Sequence, residues 1–316
     1  MISLGRSSLL LCCLLIALCA RARAGSGSLS VGTSELGLAL DENRGYALAS
    51  VWVGGVEFPG GGAFPCFTLY DATGKEEAFR ADDPRWQTES RQLEQGVRIR
   101  YTCQGFSADV DYELAKGLLT ITATPREETS QKVRLLSDGG RLVSIPDSLS
   151  GAEATGFLIK PHCSGELILF PQDKEVREIN EAQSWTYQAS FFGLGYNGHG
   201  LIVRCPQFGA VWTAGTGEVN GEYSLYGGVA ADFRPRHDDP ARTTYPFWEM
   251  PLVESKLELQ LVPVADANGD GVFNWVDVGV TYRKKFIKRN LHLDKSELES
   301  VGGKIDIADQ FVGNLD

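Results

Sequence analysis

Basic residues are in short supply in this chain. Thirty Lys and Arg stand against 41 Asp and Glu over 316 residues, a formal net charge of −11. That balance excludes a nucleic-acid binder, because neutralising phosphates needs a basic face. No Cys-x-x-Cys spacing occurs, so zinc-ribbon and thioredoxin-like readings have no support. No Asn-x-Ser/Thr sequon occurs either, and N-glycosylation is not expected. After the N-terminal apolar run no second run of membrane-spanning length appears, which excludes a multi-pass membrane protein. What is present is an apolar fraction of 43%, enough to bury a large core and to exclude wholesale disorder.

Residues 1–24 carry the marks of a signal peptide. Arg6 supplies the positive start, Leu9 to Ala20 form the apolar segment, and Ala22-Arg23-Ala24 ends it in a small-x-small pattern. The apolar run is short for a membrane anchor of about 20 residues, and Leu18 precedes Cys19 where a lipoprotein signal carries a small residue. The expectation is a secreted protein with no membrane span in its mature form. Taking Arg6, Arg21 and Arg23 from the 30 basic residues leaves 27 against 41 acidic ones, a mature charge of −14. Cys66, Cys103, Cys163 and Cys205 remain. In an oxidising compartment that count is compatible with one or two disulfides in any of three pairings, or with buried thiols.

From Ser28 to about Val264 short apolar or alternating runs are separated by Gly, Pro, Asn and Asp. Val97-Arg-Ile-Arg-Tyr-Thr-Cys103 alternates over a whole strand, the pattern of a half-buried antiparallel sheet. Ala115-Lys116-Gly117 reads as a hairpin turn between two such runs. The expected fold is all-β, a large antiparallel two-sheet sandwich spanning 25–264, with only a weak helical signal at Asp173 to Ala182. After Pro263 the pattern changes. Trp275, Val278, Gly279, Tyr282 and Phe286 recur at helical spacing within Val272 to Arg289. A loop-and-helix unit over 265–290 is therefore expected, followed by a short C-terminal tail, 291–316, with a possible second helix near Asp294 to Ser300.

The sharpest local motif is Asp266-Ala-Asn268-Gly-Asp270-Gly271-Val272-Phe-Asn274-Trp-Val-Asp277. Side-chain oxygens fall at loop positions 1, 3, 5, 9 and 12, and glycine at position 6 allows the sharp turn. Ca2+ takes six to eight hard oxygen ligands, and this spacing wraps them round one ion, with the Val272 carbonyl at position 7. Position 12 is Asp277 rather than Glu, the shorter carboxylate of dockerin-type loops. No amphipathic helix precedes the loop, so a structural staple is expected rather than a calcium sensor. The alternative is a turn with solvated carboxylates.

Gly193-Leu-Gly195-Tyr-Asn-Gly198 matches the dinucleotide pattern G-x-G-x-x-G, but the strand Leu201 to Cys205 follows where that motif needs a helix. The glycines read as a hairpin turn. Arg283 to Arg289 is a basic cluster best placed at a helix end, where cations complement the dipole. Two segments, Phe233 to Asp239 and Tyr245 to Pro251, are dense in aromatic and charged groups. Trp248, Glu249, Arg234, Arg236 and His237 have the chemistry of a sugar site: a ring for the apolar face of a pyranose, and charged groups for its hydroxyls. The same segments could equally pack against the sandwich edge.

The run from Asp266 to Arg283 resembles the signature D-x-N-G-D-G-x-x-x-W-x-D-x-x-x-x-[YF]-R of the endo-α-N-acetylgalactosaminidase family of glycoside hydrolases. Trp275, Asp277, Tyr282 and Arg283 all match it. In that family the run joins a galactose-mutarotase-like super-sandwich to a catalytic (β/α)8 barrel. The resemblance implies such a sandwich here, bound Ca2+, and a glycan partner such as galactosyl-N-acetylgalactosamine. A barrel takes roughly 200 residues or more, whereas 27 follow Arg289, so no catalytic residue is carried over. The leading expectation is a carbohydrate-binding module that is not hydrolytic alone. Two alternatives stand beside it. One is a sugar-converting enzyme pairing His162 or His199 with Glu218, Glu222 or Glu249; the other is an extracellular interaction module without sugar specificity.

Overall fold

The computed structural model describes residues 27–70, 75–103, 105–126, 132–136, 141–149, 156–160, 166–170, 179–181, 191–206, 211–232 and 256–286. Alternation sets the strands. Val97, Ile99 and Tyr101 on Gly96–Cys103 point inward, as do Ala108, Val110 and Tyr112 on Phe106–Ala115 and Leu119, Ile121 and Ala123 on Leu118–Pro125. Their polar neighbours take the other face, as a period of two requires. Lys116 and Gly117 both have positive φ and close the tight turn between two of these strands.

The described residues form three antiparallel sheets and one α-helix, Trp275–Phe286, so the all-β expectation holds. The first sheet takes four consecutive strands: Ser28–Gly32, Leu36–Asp41, Ala47–Val53 and Val56–Pro59. A nine-stranded sheet runs from Glu166–Phe170 through Gly156–Lys160, Phe191–Tyr196, His199–Arg204, Leu257–Val264, Leu118–Pro125, Phe106–Ala115 and Gly96–Cys103 to Gln87–Gln92. The last strand among the described residues, Leu257–Val264, therefore sits in its centre. A seven-stranded sheet includes Cys66–Tyr70, Val211–Val219 and Glu222–Asp232, and Val143–Pro146 also pairs with the last of these. One core draws on all three sheets, and the rings of Phe67, Trp86, Tyr101 and Phe106 meet there at 5.2–5.8 Å.

The nine-stranded sheet is apolar on both faces over part of its width. Leu201 and Val203 enter the main core, while Ile202 between them joins a second cluster with Phe157, Phe191, Val262, Val264 and Val278. The helix covers that outer patch. Further along the sheet the outer face turns polar. Arg98 lies opposite Asp111 at 2.6 Å and Arg100 opposite Asp109 at 2.8 Å, with Arg126 adding a contact to Asp109 at 3.0 Å. Burial pushes the Asp109 carboxyl up, but hydrogen bonds and charge from Arg100 and Arg126, with the charge of Arg98, outweigh it and hold the group below the usual carboxylate range.

The helix begins at Trp275, where its periodic residues start, and Asn274 caps it. Other expectations need correction. Part of the weak helical signal at 173–182 is a strand, Ile179–Glu181. Gly193 and Gly195 are strand residues, and the turn itself is Asn197-Gly198. No disulfide joins Cys66, Cys103 and Cys205; Cys163, residues 1–24 and the tail from 287 onward lie outside the described residues. No helix among the described residues is long and apolar enough to cross a membrane.

Candidate functional site

The loop predicted to hold Ca2+ leaves the end of Leu257–Val264 and turns into the helix at Trp275. Its winding is set by side chains that accept from the loop's own backbone. Asp266 takes the N–H of Gly269 on Oδ1 at 2.7 Å and that of Gly271 on Oδ2 at 2.8 Å. Asn268 Oδ1 accepts from Asp270 N at 3.0 Å, and Asp270 Oδ1 from Val272 N at 2.7 Å, while Asp270 Oδ2 accepts from Asn268 Nδ2 at 2.9 Å. Gly271 sits at φ 82, a left-handed conformation that side-chain-bearing residues rarely adopt.

Asn274 and Asp277 have a different task. Asn274 Oδ1 accepts the Val276 N–H at 2.8 Å, and Asp277 Oδ2 accepts the Asn274 N–H at 2.8 Å, a reciprocal cap on the first helical turn. Asp277 Oδ1 takes two more donors, Ala267 N at 2.7 Å and Asn268 N at 3.2 Å. The side chain is fully buried. From the other end of the helix, Lys284 Nζ donates to the Ala267 carbonyl at 2.6 Å.

These bonds decide which oxygens are left for a metal. Each carboxylate oxygen has two lone-pair sites. Asp266 and Asp270 use one on each oxygen, and Asn268 uses one on Oδ1, so all three retain acceptor capacity toward a cation. Among the described residues the Val272 carbonyl accepts only from Asn274 Nδ2, at 3.2 Å. Asp277 Oδ1 is filled, which leaves a single lone pair on Oδ2. Asp266, Asn268, Asp270 and Val272 fit a hard cation, and Asp277 fits as a one-oxygen ligand rather than a two-oxygen one. Among the described residues no group of three or more His, Cys, Asp and Glu side chains gathers as a metal cluster. A cation here would rest on two free-rimmed carboxylates together with amide, carbonyl and water oxygens.

The glycine pattern of 193–200 turns out to be the seat for this unit. A Cβ on Gly193 would lie 2.5 Å from Val278 Cγ1, one on Gly195 2.3 Å from the Phe157 ring, and one on Gly200 2.9 Å from Phe273 Cζ. Missing side chains on the outer face thus receive the helix and the ring just before it. Tyr282 stacks on Phe191 with ring centres 4.1 Å apart, and the Arg204 guanidinium lies 4.3 Å from the Phe286 ring centre. The strand that follows the glycines excluded the nucleotide reading; nothing in the sequence revealed this packing role.

The proposed sugar residues Arg234, Arg236, His237, Trp248 and Glu249 lie outside the described residues, as does His162. His199 is at the start of its strand, with Nδ1 3.3 Å from the Asn197 carbonyl and its ring packed over Gly54. Glu222 accepts the Ser148 N–H at 2.6 Å. Among the described residues no hydrogen bond or ion pair joins His199 to Glu218 or Glu222, so the structure assembles no His/Glu pair from these three.

No protein-family model matches the sequence, and no curated protein matches it. Solved structures give looser likenesses. The Slr1438 protein from Synechocystis sp. shares 12% identity over 75% of this chain and 95% of its own, with a TM-score of 0.42. A galactose mutarotase related enzyme from Lactobacillus acidophilus shares 11% over 75% and 97%, with a TM-score of 0.38. The alpha-galactosidase from Lactobacillus brevis shares 9% over 75% of this chain, with a TM-score of 0.43, and this chain spans only 39% of that enzyme.

Proposed function

We propose that this is a secreted carbohydrate-binding sandwich of the galactose-mutarotase-like kind, related to the endo-α-N-acetylgalactosaminidases and not hydrolytic by itself. The junction carries the reading. A long antiparallel β unit ends in an oxygen-lined loop, and the Trp275–Phe286 helix that follows folds back onto the same sheet through Val278 and Tyr282. Those are the residues around which the sequence resemblance runs.

In this reading Ca2+ occupies the loop through Asp266, Asn268, Asp270 and the Val272 carbonyl, with Asn274 and Asp277 completing the turn. Its work is structural: a bound ion ties the end of Leu257–Val264 to the start of the helix. The glycan partner is an O-linked sugar such as galactosyl-N-acetylgalactosamine, met by the aromatic and charged residues of 233–251. Calorimetry of the protein in Ca2+ with galactosyl-β1,3-N-acetylgalactosamine tests this. A saturable heat is expected. A flat trace removes the O-glycan reading, and heat released at a constant rate means turnover and a catalytic sandwich.

A further inference from the structure

Leu225 and Val229 on Glu222–Asp232 point into the main core, so Tyr226 between them takes the opposite face of the seven-stranded sheet. It is fully buried there beneath Arg141, whose guanidinium carbon lies 4.8 Å from the ring centre. Arg141 is held at its backbone, where Gly61 packs against it and Leu142 N donates to the Gly227 carbonyl at 2.8 Å. Among the described residues its Nε is buried without a hydrogen-bond partner. A buried donor left unmade costs on the order of 1–3 kcal/mol, and one face of the cation is already spent on the Tyr226 ring. What remains is the edge of the two terminal nitrogens, whose parallel N–H donors match a carboxylate in two parallel bonds.

The surroundings are shaped for a flat ligand. Gly215 lies directly opposite Tyr226 in register, and Gly217 follows on the same face. A Cβ on Gly217 would meet Tyr226 at 3.3 Å and Arg141 Nη2 at 3.8 Å, so the absent side chain leaves a shallow floor beside the guanidinium. We propose that Arg141, seated on Tyr226 and flanked by Gly215 and Gly217, is a subsite for the carboxylate of an acidic sugar. The inference rests on the carbohydrate reading and adds a charge preference to it.

The test is titration of the purified protein with glucuronate, its neutral amide glucuronamide, and galactosyl-β1,3-N-acetylgalactosamine. Saturable glucuronate binding is expected, at least tenfold tighter than glucuronamide and weakening as salt rises. Arg141→Lys keeps the charge but loses the planar fork, and should weaken glucuronate at least tenfold. Gly217→Leu fills the floor while leaving the Arg141 side chain itself in place and should do the same, which keeps the test decisive if the Arg141 variant unfolds. Equal binding of glucuronate and glucuronamide, no glucuronate binding, or indifference to both substitutions overturns the subsite. Binding of the neutral disaccharide alone, unchanged in Arg141→Lys, would leave the carbohydrate reading standing and remove only the subsite. Glucuronate binding without the disaccharide would do the reverse.

Discussion

Val278 occupies the space that Gly193 leaves open: a single added carbon on Gly193 would stand 2.5 Å from Val278 Cγ1. The contact joins the C-terminal helix to the outer face of the nine-stranded sheet, in a cluster that also holds Phe191, Ile202 and Val264. Gly193→Val should destabilise the protein by about 1–3 kcal/mol through overpacking. Adding Val278→Ala should recover part of that loss, because the second change makes room for the first. Thermal melts of the two single variants and the double variant check this; strictly additive losses would mean the two residues do not share one space.

Calcium should raise the melting temperature, and EDTA should lower it. At a hundred times the dissociation constant the gain is about 2.7 kcal/mol. Replacing Asp266 and Asp270 together by Ala should make the melt independent of Ca2+. An unchanged melt of the native protein with Ca2+ and with EDTA would remove the metal from the loop.

Asp277 should matter even without metal. Its buried carboxylate receives the N–H groups of Ala267, Asn268 and Asn274. Asp277→Asn weakens these charged acceptors and should cost about 2 kcal/mol in EDTA as well as in Ca2+. Urea denaturation in both buffers separates the two roles. A loss seen only in Ca2+ would make Asp277 a ligand and nothing more.

Acid should loosen the polar half of the sheet. The Asp109 carboxyl is held below its ordinary range by its arginine partners, so its contribution is complete above the unfolded carboxylate value near 3.9 and fades as pH falls through the lower, folded value. Asp109→Asn should be less stable than the native protein at pH 7, with the gap narrowing toward pH 3. Denaturation at pH 7, 5 and 3 reads this directly. A constant gap would mean the loss comes from shape, not charge.

Much of this architecture was legible because a strand with one wet face must alternate. Val97 to Cys103, with its inward set, can be placed from its alternation alone. The helix and its start were visible from Trp275, Val278 and Tyr282; the reciprocal capping of Asn274 and Asp277 across the first turn was not, since it depends on side-chain geometry. Ile202 and Val262 gave no sign of facing a second apolar layer, because a run buried on both faces reads the same as any buried run. The pairing of Arg98 with Asp111 and Arg100 with Asp109 was hidden for another reason: register between strands is a long-range property that local composition does not carry. Arg141 carries no signal in the sequence, because a lone arginine after two glycines has no pattern until Tyr226 is folded beneath it.

The place of Leu257–Val264 in the middle of the nine-stranded sheet has a consequence for how the chain is made. It pairs with His199–Arg204 on one side and Leu118–Pro125 on the other. On the ribosome these two strands therefore wait with open edges until more than two hundred and fifty residues have been synthesised. At about 5–20 residues per second the interval between Leu118 and Leu257 lasts roughly 7 to 28 seconds. Unpaired edges are templates for wrong partners, so nascent chains cut short before residue 257 should be the species that chaperones hold.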